Sequence, residues 1–529
     1  MAIFGALESD AAWFVGGGKP QNVADVAWAC AALGVQSPSL FRAIDSRAAW
    51  LVTYGKPRAI ASAAWACGAL DVQSPSLFRS IEKNAAWLMK DARPRDVARV
   101  AWACATLGVR SPALFRSIKK KAAWLAAEGE PQDVLTTAWA CAKLDVRCPS
   151  LFRSIKVAIK DDSAWLLKDG TTQDLANTAW AFAKHGIPAP SLFRFIDSRA
   201  AWLVQNGTPE AVANVAWAFA ELDVQPSDDQ PPSLFQRVDE SAAWLVENGT
   251  SRDVANAAVA FAKVGIVRPD RLLRSLAEGG RLDRFLEEAS SREVCSLAWA
   301  VAVLGIKTSR DASLLLALWA AALLRDSQAL VEGKEPTAAE GLCQLAHVRL
   351  HARAAGVALS PALPPALKAR MVSACEEAKE GNSRFKAEYS RLLTEIGFSH
   401  EREVPPFGAE GGEGGDGGGD FGDLLALDMA CRKLKVAVEC DGRSHFLTSL
   451  APLAQKGSGK RNGPTAAKRR LLQQLGWRVV NVPFFDDVSL ESEEYAEKAT
   501  AMGENGGGRR ELKKLYLKGR LANVGVVLK

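Results

Sequence analysis

Apolar residues recur at spacings of three and four through most of the first three hundred positions, and they do so in a repeating frame. In DVARVAWACATLG at 96–108, Val97, Val100, Ala101, Cys104 and Leu107 share one helical stripe, with Pro94 before the first turn and Gly108 at the stop. Proline near the start and glycine past the end are the expected helix punctuation. A second stripe follows a Ser-Pro-Ser turn: SLFRAIDSRAAWLV from Ser39 places Leu40, Phe41, Ile44, Ala48 and Leu51 on one face, read as one continuous helix. Near copies of the first stripe carry a tryptophan at Trp28, Trp65, Trp102, Trp139, Trp180 and Trp217, and the slot continues as Val259 and Trp299. An earlier tryptophan keeps step at Trp13, Trp50, Trp87, Trp124, Trp165, Trp202 and Trp244, with Phe285 in the eighth copy. Steps along this earlier series are 37, 37, 37, 41, 37, 42 and 41, while the gap inside a unit stays at 15 through seven copies. A fixed internal gap with a variable period predicts a rigid two-helix unit joined by loops that tolerate insertion. Neither stripe can be buried by its own unit, so neighbours must stack. The expectation for 1–305 is an α-solenoid of units about 37–42 residues long.

The frame fades after 305. The stretch 306–380 stays helical without the repeat and reads as a cap or connector, and NSRFKAEYSRLLTEIGF at 382–398 is a further helix with Asn382 or Ser383 as its cap. A Gly-rich run at 408–423 has no means of packing. Then the period changes from helical to strand-like: residues 424–429, a turn at Arg432 and Lys433, and Val436, Val438 and Cys440 make a β-hairpin pattern. A second, basic Gly-rich insert at 455–463 leads into the helix PTAAKRRLLQQLG, and WRVVNVPFF at 477–485 is another strand. The predicted fold is therefore mainly α, a repeat array followed by a small α/β domain over 381–529.

Composition narrows the setting. A chain of 529 residues exceeds one ordinary core, and 48% apolar content is enough to fold it. A formal charge of +6 is too mild to prove a nucleic-acid partner, so placement of charge must decide. Ten cysteines do not form a disulfide framework: Cys30, Cys67, Cys104 and Cys141 occupy one repeated slot that later holds Phe182, Phe219, Phe261 and Val301. A slot taking Cys, Phe and Val is a packing slot in a reducing compartment. The best apolar run, 312–324, falls short of the roughly 20 residues a bilayer needs. The opening MAIFGALESDAAWFV enters the repeat at once without an Arg-rich amphipathic leader, which makes the cytoplasm the fallback location.

Two repeated polar slots are candidates for contact with a ligand. Arg42, Arg79, Arg116, Arg153 and Arg194 recur after the Leu-Phe pair and point away from its stripe, so stacking aligns one guanidinium per repeat. Such a row suits a phosphate backbone; the alternative is a solvated arginine whose stem covers its own helix. Three residues before the later tryptophan stand Asp25, Ser62, Arg99, Thr136, Asn177, Asn214, Asn256 and Ser296, polar yet different from unit to unit. That is what a reader of one base per repeat requires, although an exposed position free to drift has the same signature. The tryptophans, set between alanines, read as core. His347 and His351 stand four apart on a predicted helix, but Val348 follows His347 where a zinc protease has Glu, and no third ligand is evident.

The copies PQDVLTTAWACAKLDV from Pro131 and TQDLANTAWAFAKHGI from Thr172 resemble the octotricopeptide repeat of organellar RNA-binding proteins over about seven units. LDMA at Leu427, VAVECDGRSHF from Val436, AAKRRLLQQLGWRVVNVP from Ala466 and LKKLYLKGRL from Leu512 resemble a RAP domain. Repeats followed by such a domain are similar to the organellar set that includes the Fas-activated serine/threonine kinase relatives. The resemblance implies an RNA-binding protein of mitochondrial or plastid RNA processing, stability or translation. Its partners would be single-stranded RNA and other organellar RNA-processing proteins, without a membrane or small-molecule cofactor. RAP domains are also similar to the PD-(D/E)xK endonuclease fold, which implies a second possibility, a metal-dependent ribonuclease. Asp428, Glu439 and Asp441 would then converge on Mg²⁺ or Mn²⁺ to polarise phosphate and activate water, with His445 as base or ligand. Asp441 stands where that pattern expects lysine two residues after the Glu, and Lys468 on the next helix is the candidate replacement. In a domain that only binds, Glu439 would instead pair with a basic neighbour such as Arg469, and no cofactor would be needed. A third reading, from another class, is a peptide-binding helical scaffold.

Overall fold

In the computed structural model, which describes residues 2–160, 170–225, 233–265, 268–377, 384–406, 426–442, 448–449, 462–483 and 507–526, a repeat is built from three helices where the stripes predicted two. The chain divides into two compact units, Met1–Ala218 and Phe219–Lys529. The first begins with α1 (Ala2–Gly17), α2 (Pro20–Ala32), α3 (Pro38–Ser46), α4 (Ala48–Tyr54), α5 (Pro57–Ala69), α6 (Pro75–Lys83), α7 (Ala85–Asp91) and α8 (Pro94–Thr106). It continues with α9 (Pro112–Lys120), α10 (Ala122–Glu128), α11 (Pro131–Lys143), α12 (Pro149–Lys160), α13 (Thr172–Lys184), α14 (Pro190–Ser198), α15 (Ala200–Asn206) and α16 (Pro209–Glu221), the last running past the division.

The first helix of each unit is the stripe read from sequence. In α8, Val97, Val100, Ala101 and Cys104 are buried, and α2, α5, α8 and α11 pack side by side as one layer. Each ends in a turn whose pivotal residue has positive φ, taken by Gly34, Asp71, Gly108, Asp145 and Gly186 in the same slot. The next amide closes back five residues, as in Val72 N to Cys67 O at 2.8 Å, the hydrogen bond of a Schellman motif. The Cys, Phe and Val slot is buried throughout, so its reading as packing holds, and every cysteine is a free thiol.

The second stripe breaks into two helices at Arg47 (φ −107°, ψ 19°), and again at Asn84, Lys121 and Arg199. At Arg47 and Lys121 the break turns the side chain back onto the preceding unit. Arg47 Nη1 donates to Val15 O at 2.9 Å and its guanidinium lies 4.4 Å over Trp50; Lys121 Nζ donates to Met89 O at 2.7 Å and lies 5.1 Å over Trp124. A cation therefore meets the C-terminal carbonyls of a neighbouring helix, where the macrodipole favours positive charge. An acid answers at the opposite pole. Asp45 Oδ1 accepts from Ser74 Oγ at 2.7 Å and from Ser76 N at 2.8 Å, and Glu8 accepts from Ser37 Oγ and Ser39 N at 2.6 and 2.9 Å. Glu82 accepts from Ala113 N at 2.8 Å. Each carboxylate caps the next unit's helix from outside the helix, a job ordinarily done by its own N-cap residue.

In the second unit the elements are β1 (Val224–Gln225), α17 (Ser233–Glu240), α18 (Ala242–Asn248), α19 (Ser251–Val264), α20 (Asp270–Ala277), α21 (Arg281–Glu288), α22 (Ser291–Leu304), α23 (Ser309–Val331), α24 (Ala339–Ala354) and α25 (Pro365–Glu377). The region expected to be a cap or connector is helical and packs against α22. Helix α23 takes the place of the paired short helices, and Arg325 donates to Leu286 O, as Arg47 does to Val15 O. At 23 residues α23 is long and apolar enough by length and composition to cross a membrane, longer than the run read from sequence. Its polar groups are spent inside the protein: Trp319 is buried and donates to Pro361 O at 2.9 Å, and Asp311 and Asp326 pair with Arg268 and Arg370 at 2.7 Å each.

The α/β module follows as α26 (Arg384–Glu395), β2 (Glu401–Val404), β3 (Leu427–Cys431), β4 (Val436–Asp441), β5 (Thr448–Ser449), α27 (Gly463–Gln474), β6 (Arg478–Pro483) and α28 (Gly507–Ala522). Strand order is β2-β3-β4-β6, antiparallel except for β4 and β6, which α27 joins as a parallel crossover. One face packs Tyr389, Leu393, Val438, Val480, Leu517 and Leu521; the other packs Leu427, Ala437, Leu472 and Trp477. The hairpin and final strand match the sequence pattern. The second insert departs from it at its end, because Asn462 caps α27 by accepting from Thr465 N at 3.2 Å and Gly463 opens the helix. That glycine is required: a Cβ on it would lie 1.6 Å from Ala262 O. Arg470 Nη2 donates to Val303 O at 2.7 Å, and β1 pairs in parallel with β5, so the module is fastened to the later repeats of its own unit.

The acid clamp has a measurable signature. Burial works to raise the Asp45 carboxyl, but hydrogen bonds from Ser74, Ser76 and Leu77 outweigh it and hold it below the ordinary 3.8. Its stabilisation is therefore present above pH 3.8 and lost as the pH falls through the lower folded value. Asp45→Ala is expected to cost about 1 kcal/mol at pH 7, read as a lower urea midpoint with unchanged slope, and the difference from wild type should shrink below that range.

Candidate nucleic-acid interface

The first-helix layer of the first unit presents a face that is neither core nor plain surface. Burying Val97, Val100 and Cys104 of α8 leaves Arg95, Arg99 and Trp102 together on the other side. The tryptophans are not interior, as their alanine setting suggested. Trp28 is 44% exposed and the rest of its series is half-buried. Their rings form a ladder from unit to unit: Trp28 to Trp65 and Trp65 to Trp102 are each 6.3 Å between centroids, and Trp180 to Trp217 is 6.5 Å. Such spacings lie in the roughly 4.5–7 Å range of interacting aromatic pairs. Trp102 settles on Gly68, where a Cβ would meet the ring at 2.8 Å.

A groove of about 1160 Å³ is lined by Trp28, the first ring of this ladder. It holds Asp25, Ser62 and Arg99 of the variable slot, and its cations are Lys19, Lys56, Arg58, Arg93, Arg95 and Arg99 against Asp25, Asp91 and Asp96. Burial, with Arg95 and Arg58 nearby, pushes the Arg99 guanidinium down, a crowding of positive charge that an anion relieves. Asp25 is exposed and accepts from Gln21 at 2.7 Å, whereas Ser62 is buried. Thr136, Asn177, Asn214 and Asn256 are half-buried in their own copies of the slot, and Asn177 accepts from Gln173 at 3.1 Å. The basic groove residues outside the slot were missed in the sequence. Lys19, Lys56 and Arg93 all sit one residue before the helix-opening proline, a recurrence that marked them.

The arginine row lies elsewhere. Arg42, Arg79, Arg116, Arg153 and Arg194 are all exposed, on α3, α6, α9, α12 and α14 respectively, while Leu40, Phe41 and their equivalents face inward. None of the five lines the ladder groove. Arg116 lines a separate one of about 520 Å³ with Arg110, Lys119 and Arg147. The row and the variable slot therefore occupy different helix layers and do not form a single track.

In the α/β module, strands β3 and β4 bring Asp428, Glu439 and Asp441 to neighbouring positions, and α27 brings Lys468. Lys468 Nζ lies 2.7 Å from Glu439 Oε2 and 3.0 Å from Ala426 O. The partner of Glu439 is thus Lys468, the residue proposed to replace the missing lysine, rather than Arg469. Glu439 Oε1 accepts from Asp428 N at 3.3 Å. Asp428 Oδ2 accepts from Cys440 N at 2.7 Å, and its Oδ1 pairs at 2.7 Å with Lys386, a helix residue with no sequence signal. Asp441 accepts from Asn481 Nδ2 at 2.8 Å. Burial pushes the Glu439 carboxyl up and Lys468 pulls it back, while Glu439 and Asp428 raise Lys468 against its own burial. A 2.7 Å contact is that of an ion pair. Asp428 and Glu439 spend both oxygens on lysines and backbone amides, so the three carboxylates do not fit a divalent cation. No group of three or more potential ligands is arranged for a metal among the described residues. His445 lies outside the described residues. His347 is pushed down to about 4 by burial and Lys468, and His351 to about 3 by burial, His347 and Arg470.

Fold and site together define a helical-repeat protein carrying a C-terminal α/β module. Residues 7–168 match the family model described as RNA-editing substrate-binding complex 6 protein, and residues 438–500 match that of the RAP domain. None of the curated proteins matches the chain.

The buried pair makes a specific demand on stability. Lys468→Met leaves Glu439 beside Asp428 without its cation and is expected to cost about 3 kcal/mol. Adding Glu439→Gln should recover more than half of that loss in urea unfolding, because the stranded charge is gone. A double variant as unstable as the single one would show that the two side chains are not energetically coupled.

Proposed function

We propose that this chain binds single-stranded RNA through its first repeats and serves RNA processing, including editing, in the mitochondrion. The observation that carries the reading is the Trp28, Trp65 and Trp102 ladder bordered by Arg58, Arg95 and Arg99. The exposed part of the aromatic rings supplies sequence-tolerant contact with bases and guanidinium groups supply phosphate contacts. The variable slot beside each ring supplies differing hydrogen-bonding groups from one repeat to the next. The name of the family matched at 7–168 supports the RNA, and its reference to a complex supports protein partners. The RAP-like module would hold the bound strand or a partner. The reading invokes no cofactor.

The test uses the full chain with a pool of labelled single-stranded RNA across a salt series, with and without Mn²⁺. Retained intact RNA is expected. Changing Arg58, Arg95 and Arg99 together to Ala should reduce the salt slope by roughly 2, at about 0.7 per lost phosphate contact. Trp28→Ala should weaken binding by about 1 kcal/mol, roughly five-fold. Loss confined to the Arg42, Arg79 and Arg116 triple variant would move the strand to the other helix layer. Shortened RNA that requires Mn²⁺ and disappears in Asp441→Asn would make the module a nuclease, and neither retention nor shortening would favour a protein-binding scaffold.

A further inference from the structure

The joint that leads into α12 carries a cation where its predecessors carry an acid. In the three joints before it, an acid of the preceding repeat reaches the start of the next helix. Glu8 accepts from Ser39 N at 2.9 Å, Asp45 from Ser76 N at 2.8 Å and Glu82 from Ala113 N at 2.8 Å. The device returns at Asp239, which accepts from Arg271 N at 3.1 Å and Leu272 N at 3.0 Å. At the joint into α12, Lys119 stands in the acid's place and Cys148 in that of Ser37, Ser74 and Ser111. Ser150 is the counterpart of Ser39, Ser76 and Ala113. Among the described residues no carboxylate reaches its amide, and its hydroxyl turns to Lys119 O at 3.3 Å. A flanking slot changes in the same direction: Gln36 and Gln73 precede the serine in the first two joints, and Arg110 and Arg147 take that place in the next two.

Arg110, Arg116, Lys119 and Arg147 line one groove of about 520 Å³, with Asp145 as the single carboxylate of its lining. All four cations are exposed, and none has an ion-pair partner among the described residues. Like charges gathered in a concavity repel one another and draw an anion from solution. The three earlier joints show which anion sits at this place, a carboxylate carried by a protein. We propose that the groove docks an acidic segment of a partner protein. One Glu or Asp carboxylate of that segment meets the Ser150 amide, as Glu82 meets Ala113, and its neighbours pair with the guanidinium groups. Phe115 is 3% exposed and offers no face to a base, whereas Pro112, Leu144 and Val146 give an aliphatic floor for side-chain stems. That separates this groove from the one at Trp28 and makes a protein a better fit than a nucleic acid. The inference rests on the reading that the chain works with protein partners and is independent of its RNA contact.

Titration of the full chain into a fluorescein-labelled Glu-rich peptide without aromatic residues, read by anisotropy, tests this. Saturable binding is expected. Lys119→Glu should weaken it at least about ten-fold, the worth of one charge-assisted contact. That variant installs the acid of the sister joints, so it keeps the fold and fills the place from within. Lys120→Glu makes the same change of charge one residue on, outside the groove, and should alter binding far less. RNA retention, scored on the same proteins, should survive Lys119→Glu. Absence of saturable peptide binding, or equal losses in the two variants, would overturn the proposal. So would an RNA oligonucleotide that displaces the peptide and loses its own affinity in Lys119→Glu alone, which gives the groove to phosphate. Retained RNA without peptide binding removes the acidic partner and leaves the RNA reading standing, and peptide binding without RNA does the reverse.

Discussion

Helix ends are the constraint on which this structure depends. Each short helix leaves amides at one end and carbonyls at the other without partners, and a repeat of three helices multiplies that debt. The chain meets it across the joint rather than within the helix. Asp45 and its equivalents cap the next unit's amides, and Arg47 and Lys121 cap the preceding unit's carbonyls. Both charges sit at the pole where the macrodipole favours them. Since the groups that satisfy one unit belong to another, a unit is complete only when stacked. The stacking sets the register that brings Trp28, Trp65 and Trp102 to the same 6.3 Å spacing.

This arrangement explains what the sequence made legible. Spacings of three and four located the helices because burial of Val97, Val100 and Cys104 depends on local geometry alone. The break at Arg47 was hidden, since an Arg in an otherwise helical run carries no local signal; its role is set by Val15 in the unit before. The exposure of Trp28 was hidden for a similar reason. Alanine neighbours suggested a core, but those alanines pack helix against helix and leave the large ring at the rim. In the α/β module the period-two pattern gave β3 and β4, and the motif placed Asp428, Glu439, Asp441 and Lys468 together. It gave no hint of Lys386, which arrives from α26 more than forty residues earlier.

The pairing of carboxylates with lysines bears on what the module can do. A nuclease centre keeps carboxylate oxygens turned toward an open position so that a metal and a water can enter. Here Asp428 and Glu439 face Lys386 and Lys468 and two backbone amides. Buried ion pairs of this kind contribute little net stability but fix geometry, since removing one partner strands a charge. Lys468 lies on α27, the helix whose Gly463 presses on Ala262 and whose Arg470 reaches Val303. The acidic cluster is therefore mechanically joined to the helix that docks on the repeats, which suits a module that holds its place.

Charge along the first helices divides the labour further. The residue before the opening turn is Lys19, Lys56 and Arg93 in the first three units, none of which caps its helix with a side-chain acceptor. Later it becomes Thr171, Thr250 and Ser290, each accepting the amide three residues on. In the fourth unit Glu130 takes the place without a side-chain cap, and from Thr171 onward such a cap appears. The later helices satisfy their own amides, whereas the first three keep a positive edge and unspent donors beside the tryptophan ladder. In a later copy of the slot, Ser296 donates to Gln344 of α24 at 3.3 Å. Among the described residues, the positive edge of the first units and the groove lined by Trp28 coincide, which is the setting the proposed RNA contact uses, while α19 and α22 of the later repeats carry the α/β module.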